Sequence, residues 1–234
     1  IIFPFNKYFM KKTISILFKT IIVLTLFLIP LFAYAGAPYL VKDINLTTLD
    51  SSPTNLVDIS GTLYFSADNG INGFELWKSD GTPEGTVMVK DIRSGSFNSN
   101  PQNFINFNGT LFFTADNGIN GVELWKSDGT EAGTVMVKDI RSGVNSSIPL
   151  NLTNINGTLY FAADDGVSGL ELWKSNGTEV GTLMVKDIYS GASGSNIYYL
   201  TNVNNTLFFQ ANNGLNGNEF WKSDGTEAGT VMVK

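Results

Sequence analysis

A repeat of 48 residues governs what this chain can fold into. Glu75-Leu76-Trp77, Glu123-Leu124-Trp125, Glu171-Leu172-Trp173 and Glu219-Phe220-Trp221 recur at that interval, as do Asp43-Ile44, Asp91-Ile92, Asp139-Ile140 and Asp187-Ile188. Residues 125–138 and 221–234 are identical, WKSDGTEAGTVMVK, which points to copying of whole units. A unit this small buries its apolar faces only against its neighbours, so a stacked array is expected.

Within one unit, short apolar runs alternate with turn signals. Residues 103–107 lead into Asn108-Gly109, the strongest two-residue hairpin signal, and then into a second strand over 110–115. Asp116-Asn117-Gly118 and Asn120-Gly121 mark the next turn, and residues 122–126 form a third strand. Ser127-Asp128-Gly129-Thr130 turns the chain into a fourth strand over 134–140. No stretch after residue 36 carries a 3.6-residue apolar period, so no helix is expected there. Leu63 and Phe65 oppose Tyr64, and Val87-Met88-Val89 lacks polar alternation, so each sheet needs cover on both faces. The fold class is therefore all-β, a β-propeller-like array of four-stranded antiparallel blades forming an incomplete ring, with an open solenoid of β-units as the alternative. The units run over about 53–92, 101–140, 149–188 and 197–234. Residues 39–44 match the fourth strand with no strands before them, so a lone strand is expected there, placed to complete the last blade of a ring.

The two ends read differently. Residues 1–9 precede the first Met, Met10, and are taken as a non-native leader. Lys11 and Lys12, the apolar run 20–32 and Ala33-Tyr34-Ala35 make 10–35 a signal peptide, with a signal helix and cleavage after Ala35. A retained membrane anchor is the competing reading, opposed by Lys19 and Pro30. Residues 36–234 then form the repeat domain of a secreted or cell-surface protein. The sequence stops inside a unit at Lys234, so truncation is expected, with further blades or domains beyond.

Composition narrows the chemistry. The absence of Cys and His excludes disulfides, Cys/His zinc sites, His-ligated haem and every nucleophile-histidine arrangement. From Gly36 onward there are 11 basic and 21 acidic residues, a net of −10, which argues against nucleic acid as a partner.

The recurring G-x-E-L-W-K-S-D-G-T-x-x-G-T-x-M-V-K-D-I resembles the ELWxxDGT repeat family of secreted bacterial proteins, over essentially all of residues 39–234. The resemblance implies an extracellular, propeller-like array within a larger protein and no defined activity. Asn176 in place of Asp, Phe220 in place of Leu, and Asn212 in place of Asp68, Asp116 and Asp164 depart from the pattern.

Trp77, Trp125, Trp173 and Trp221 are read as core residues between blades, the alternative being a stacking platform for sugar rings. Glu75, Glu123, Glu171 and Glu219, two residues earlier on the same strand face, are expected to accept backbone N–H groups or to pair with a Lys such as Lys78 or Lys90. A carboxylate repeated in every blade is poorly suited to general acid–base work, which needs two groups in unlike environments, so no catalytic residue is assigned. The loops that open at Asp68, Asp116 and Asp164 mix oxygen donors with glycine, as Ca²⁺ loops do, without the EF-hand spacing. Ca²⁺ is the one cofactor they suggest; a turn-only role is the alternative.

The crossovers between units differ in sequence while the turns between third and fourth strands are nearly identical, and loops carry recognition. Arg93, Arg141 and Tyr189 hold one equivalent position there and are the candidate ligand-binding residues, with solvated loop side chains as the alternative. The expected function is a secreted, non-enzymatic module for extracellular binding or adhesion, with glycans among its candidate ligands. A polysaccharide-acting enzyme, or an array that only spaces or displays other domains, is the alternative.

Overall fold

The computed structural model describes residues 38–233, and Val41–Lys234 form one compact unit. The expected signal helix over 10–35 and the leader before it lie outside the described residues. Four antiparallel sheets of four strands follow one another, each ordered as in the sequence. Blade 1 comprises β1 (Thr54–Ile59), β2 (Thr62–Asp68), β3 (Phe74–Ser79) and β4 (Val87–Lys90). Blade 2 comprises β5 (Gln102–Phe107), β6 (Thr110–Asp116), β7 (Val122–Ser127) and β8 (Val135–Lys138). Blade 3 comprises β9 (Leu150–Ile155), β10 (Thr158–Asp164), β11 (Leu170–Ser175) and β12 (Leu183–Lys186). Blade 4 comprises β13 (Tyr198–Val203), β14 (Thr206–Asn212), β15 (Asn218–Ser223) and β16 (Val231–Met232). The described residues contain no helix.

The Asn-Gly signal works as its chemistry requires. Phe107 pairs with Thr110 across Asn108-Gly109, whose φ values of 54° and 86° give the doubly left-handed turn that matches strand twist. Within β1, β5 and β9 a second left-handed residue, Asn55, Asn103 or Asn151, sits at a break in the register or just before the regular pairing. Each of these Asn side chains reaches the next blade, donating from Nδ2 to Pro101 O, Pro149 O and Ile197 O at 3.2, 3.4 and 3.2 Å. Backbone distortion and blade-to-blade adhesion are thus supplied by the same residue.

Successive blades converge at their first strands, β1 beside β5, β5 beside β9 and β9 beside β13. The apolar residues lie between them. Tyr64, Leu76 and Val89 of blade 1 pack on Leu111, Phe113, Ala115 and Trp125 of blade 2. Phe112, Leu124 and Val137 meet Leu159, Phe161, Ala163 and Trp173 in the same way, and Tyr160, Ala162, Leu172 and Val185 meet Leu207, Phe209, Ala211 and Trp221. All four Trp are 6% exposed. Polar ties bind the margins of these joints. Lys78, Lys126 and Lys174 each donate from Nζ to the carbonyl of a turn glycine in the following blade, Gly129, Gly177 and Gly225, at 2.8 Å. The blades therefore form a propeller-like array, held by sheet-face packing and by ties at its edges. Among the described residues nothing covers the far face of blade 4, where Phe220 is 52% exposed, so they form an open array.

Two expectations need correction. Residues 38–50 form no strand. A strand requires a ladder partner, and among the described residues no first-to-third strands stand beside this segment. It nevertheless keeps the fourth strand's place against blade 1 through side chains. Lys42 Nζ donates to Thr86 O at 2.7 Å, as Lys90, Lys138 and Lys186 donate to Thr134 O, Thr182 O and Thr230 O at 2.8, 2.9 and 2.9 Å, and Ile44 packs on Phe65, Ala67 and Trp77. The fourth strand is also shorter than the expected 134–140, because Asp139-Ile140 turns away so that Ile140 N can donate to Glu123 Oε2 at 3.0 Å.

Candidate functional site

The loops between second and third strands share one rim with the crossovers that join blades, and the backbone fixes the two together. Ser99 N donates to Phe74 O at 3.1 Å, and Asp116 N of the next blade donates to Ser99 O at 2.9 Å. Gly73 is needed here for two reasons. Its φ is +70°, and a Cβ would stand 3.0 Å from Phe97 O.

Glu75 is the centre of this rim. Wholly buried, it accepts from Ile92 N at 2.8 Å, Ser99 N at 3.1 Å, Ser99 Oγ at 2.6 Å and Arg93 N at 3.4 Å, so one carboxylate pins both ends of the crossover. Glu123 makes the corresponding bonds to Ile140 N, Ser147 N and Ser147 Oγ, and Glu171 accepts from Ile188 N and Tyr189 N. Burial pushes the Glu75, Glu123 and Glu171 carboxyls up to about 7, 6 and 7, against these hydrogen bonds, which pull the other way. The Ser hydroxyl makes protonation tolerable: Ser99 Oγ also lies 3.2 Å from Phe74 O and can donate there while accepting from a protonated Glu75. Lys78 and Lys90, the alternative partners, are bonded instead to carbonyls of blade 2. Glu219 is only partly buried.

Arg93 and Arg141 do not stand free. Their Nη1 atoms donate to Asp116 Oδ2 at 2.7 Å and Asp164 Oδ2 at 2.6 Å, each across a blade joint. The candidate ligand-binding residues and two of the candidate Ca²⁺ ligands thus come together as ion pairs. The other carboxylate oxygen of each Asp accepts from its own loop, Gly118 N and Gly166 N, both at 2.6 Å. At the third joint both charges are replaced, with Tyr189 lying on Gly214 where Arg stood and Asn212 where Asp stood. Asp68 faces the first segment, where Asn45 fills the Arg position, and accepts from Gly70 N at 2.7 Å. Among the described residues no three acidic side chains come together as a metal cage.

Two features of this rim escaped the reading of the sequence. Asn72 Nδ2 donates to Asp91 Oδ2 at 3.0 Å, and Asn120 Nδ2 to Asp139 Oδ2 at 2.8 Å, tying loop to crossover. Each loop tip also lifts one aliphatic side chain into solvent, Ile71, Ile119, Val167 and Leu215, at least 69% exposed. Their recurrence at 48 residues inside a polar loop was the available signal. Beside Ile119, a cavity of about 420 Å³ is lined by Arg93, Phe97, Asn117 and Gly118, with the Arg93 guanidinium 5.4 Å from the Phe97 ring centroid.

No family model matches the chain, and no curated protein matches it. Among solved structures, it is similar to the computationally designed Ika8 protein (14% identity, 76% of this chain and 48% of that one, TM-score 0.43). It is also similar to a puromycin hydrolase S511A mutant complexed with PGG (14% identity, 74% and 27%, TM-score 0.48). A third is an alpha-L-arabinofuranosidase from Clostridium thermocellum (17% identity, 79% and 73%, TM-score 0.35). The chain spans half or less of the first two proteins. Alignments this loose assign it no activity.

Proposed function

We propose that the chain is a secreted, non-enzymatic binding module of the ELWxxDGT type, whose crossover rim meets an extracellular ligand, with glycans among the candidates. The observation that carries this reading is the employment of the buried carboxylates. Glu75, Glu123 and Glu171 are each surrounded by backbone donors, and what they hold rigid is the variable crossover. Groups committed to loop anchoring are unavailable to a substrate, whereas a variable loop on a fixed frame suits recognition. The Arg93–Phe97 cavity gives that rim an apolar wall beside a cation, the mixture small-ligand sites use.

The test is replacement of Arg93 and Arg141 by Ala in the intact chain, followed by binding to a polysaccharide and glycan panel and an assay for polysaccharide cleavage. Binding that weakens about tenfold without cleavage by either protein is the expected result. Turnover by the unaltered chain, or binding indifferent to both substitutions, overturns it.

A further inference from the structure

On the opposite rim, the turns between first and second strands sit with those between third and fourth. The three blade joints are not alike there. At the joint of blades 1 and 2, the Tyr64 hydroxyl lies over Gly129, and at the joint of blades 3 and 4 the Tyr160 hydroxyl lies over Gly225. Each Tyr has an acid close by. Burial, and then the charge of Asp128 or Asp224, pushes the phenol up. At the middle joint both members are exchanged together, with Phe112 in place of Tyr and Asn176 in place of Asp. The Phe112 ring still reaches the turn, Cζ standing 2.9 Å from where a Cβ on Gly177 would be, but the oxygen is gone.

A cavity of about 490 Å³ lies at this joint, within the size class of small-molecule sites, roughly 300 to 1,000 Å³. Phe107 and Phe112, packed edge to face with centroids 4.9 Å apart, line its apolar side. Asn108, Lys126, Asp128 and Asn176 supply its polar side. Oδ1 of Asp128 and of Asn176 is committed to its own turn, accepting the N–H and hydroxyl of Thr130 and Thr178 at 2.7 to 3.0 Å. That leaves Asp128 Oδ2 and Asn176 Nδ2, an acceptor on one blade and a donor on the next, outside the turns' own bonds. Lys126 Nζ spends one N–H on Gly177 O and has two to spare.

We infer that the cavity between blades 2 and 3 is a binding site for a neutral sugar ring, whose adjacent hydroxyls are read by Asp128 and Asn176. One hydroxyl donates to Asp128 Oδ2, its neighbour accepts from Asn176 Nδ2, and C–H groups of the ring meet the small part of the otherwise buried Phe107 and Phe112 that reaches the cavity wall. Asp128, lowered by the Thr130 hydroxyl and N–H and in part by the charge of Lys78 in blade 1, presents a carboxylate to the cavity, which disfavours a uronic acid or a sulfated sugar relative to an uncharged ligand. Asn176 keeps every turn-forming bond that Asp makes in the other blades, so the exchange alters what the turn offers outward and leaves the turn itself intact. This assignment rests on the binding-module reading and adds a second locus to it.

The other joints supply the test. Phe112→Tyr with Asn176→Asp rebuilds the pair found at Tyr64–Asp128 and Tyr160–Asp224, so the variant is expected to fold and melt like the parent. Glucose, galactose, mannose and xylose, with glucuronate as the charged comparison, are titrated into the intact chain by NMR. Saturable binding of at least one neutral sugar is expected, with shifts confined to Asn108, Lys126, Asp128 and Asn176 and an affinity about tenfold weaker in the double variant. No binding of any neutral sugar, equal affinity in the double variant, or tighter binding of glucuronate overturns the inference. The Arg93→Ala/Arg141→Ala protein separates the two loci. Sugar binding lost there and kept in the double variant removes this site and leaves the crossover reading standing; the reverse pattern removes the crossover reading alone.

Discussion

Glu75, Glu123 and Glu171 carry the sharpest consequence at the scale of single residues. Their folded-state values of about 7, 6 and 7 lie above the ordinary 4.5, so the folded chain retains protons that the unfolded chain releases between about pH 4.5 and 7. Stability contributed by these groups is complete below pH 4.5 and is lost as pH rises through 6 to 7. The exposed acids Asp80, Asp128 and Asp224 act in the opposite sense, held below the usual carboxylate range by the Thr hydroxyl and N–H in each turn. Their contribution is present above about pH 3.8 and fades in stronger acid. Thermal melting is therefore expected to show a maximum between pH 4 and 5, falling towards neutrality. Glu→Gln at positions 75, 123 and 171 should flatten the fall, since an amide does not titrate, while lowering the melting temperature because an NH2 in place of Oε2 leaves Ile92 N or Ile140 N without its acceptor; an unchanged slope would refute this account. That a repeated Glu serves backbone N–H groups was legible from its recurrence. Which N–H groups it serves was not, because Ile92 and Ser99 lie 17 and 24 residues away and only the folded crossover brings them together.

At the scale of elements, the strands and hairpins were readable because their signals are local. A two-residue Asn-Gly turn fixes its own register, and an apolar run that fails to alternate demands cover on both faces. The ties between blades were unreadable for the converse reason. Lys78 announces its recurrence and not its acceptor 51 residues on, and nothing in Asn103 says that it is both a left-handed break in β5 and a donor to blade 3. The same long spacing misled the reading of residues 39–44, where a strand-like sequence without a ladder partner stays irregular. If the blade is the true unit of packing, one can be excised whole. Deleting residues 101–148 joins Asn100 to Pro149, the equivalent of Pro101, and places blade 3 directly on blade 1. The shortened chain is expected to keep a β-sheet circular dichroism spectrum and a cooperative melt. Collapse to an unfolded chain would mean that the blades are not interchangeable at their joints. By contrast, Trp125→Ala inside an intact array should cost roughly 3 to 5 kcal/mol, because it empties the joint of blades 1 and 2.

For the molecule as a whole, the uncovered face of blade 4 decides solution behaviour. Phe208 and Phe220 stack there at 5.3 Å beside Tyr199, around a hollow of about 570 Å³, on a surface that the other blades bury against a neighbour. Apolar patches of this kind drive association. Light scattering on the chain from Gly36 onward should show a mass that rises with concentration, and Phe208→Lys with Phe220→Lys should hold it near the monomer. A monodisperse monomer without those changes would contradict the open face. The recurring side-chain ties have a further consequence, because they share a direction: Asn55, Lys78, Lys90 and Arg93 of one blade give, and Pro101, Gly129, Thr134 and Asp116 of the next receive. Each 48-residue module thus has a head and a tail, and the Asn and Lys ties recur at all three joints. A duplicated segment of DNA inserted in frame arrives with both halves of its joints already matched. Lengthening the protein by gene duplication then demands no compensating mutation, and two stretches of fourteen identical residues are the trace such an event leaves behind.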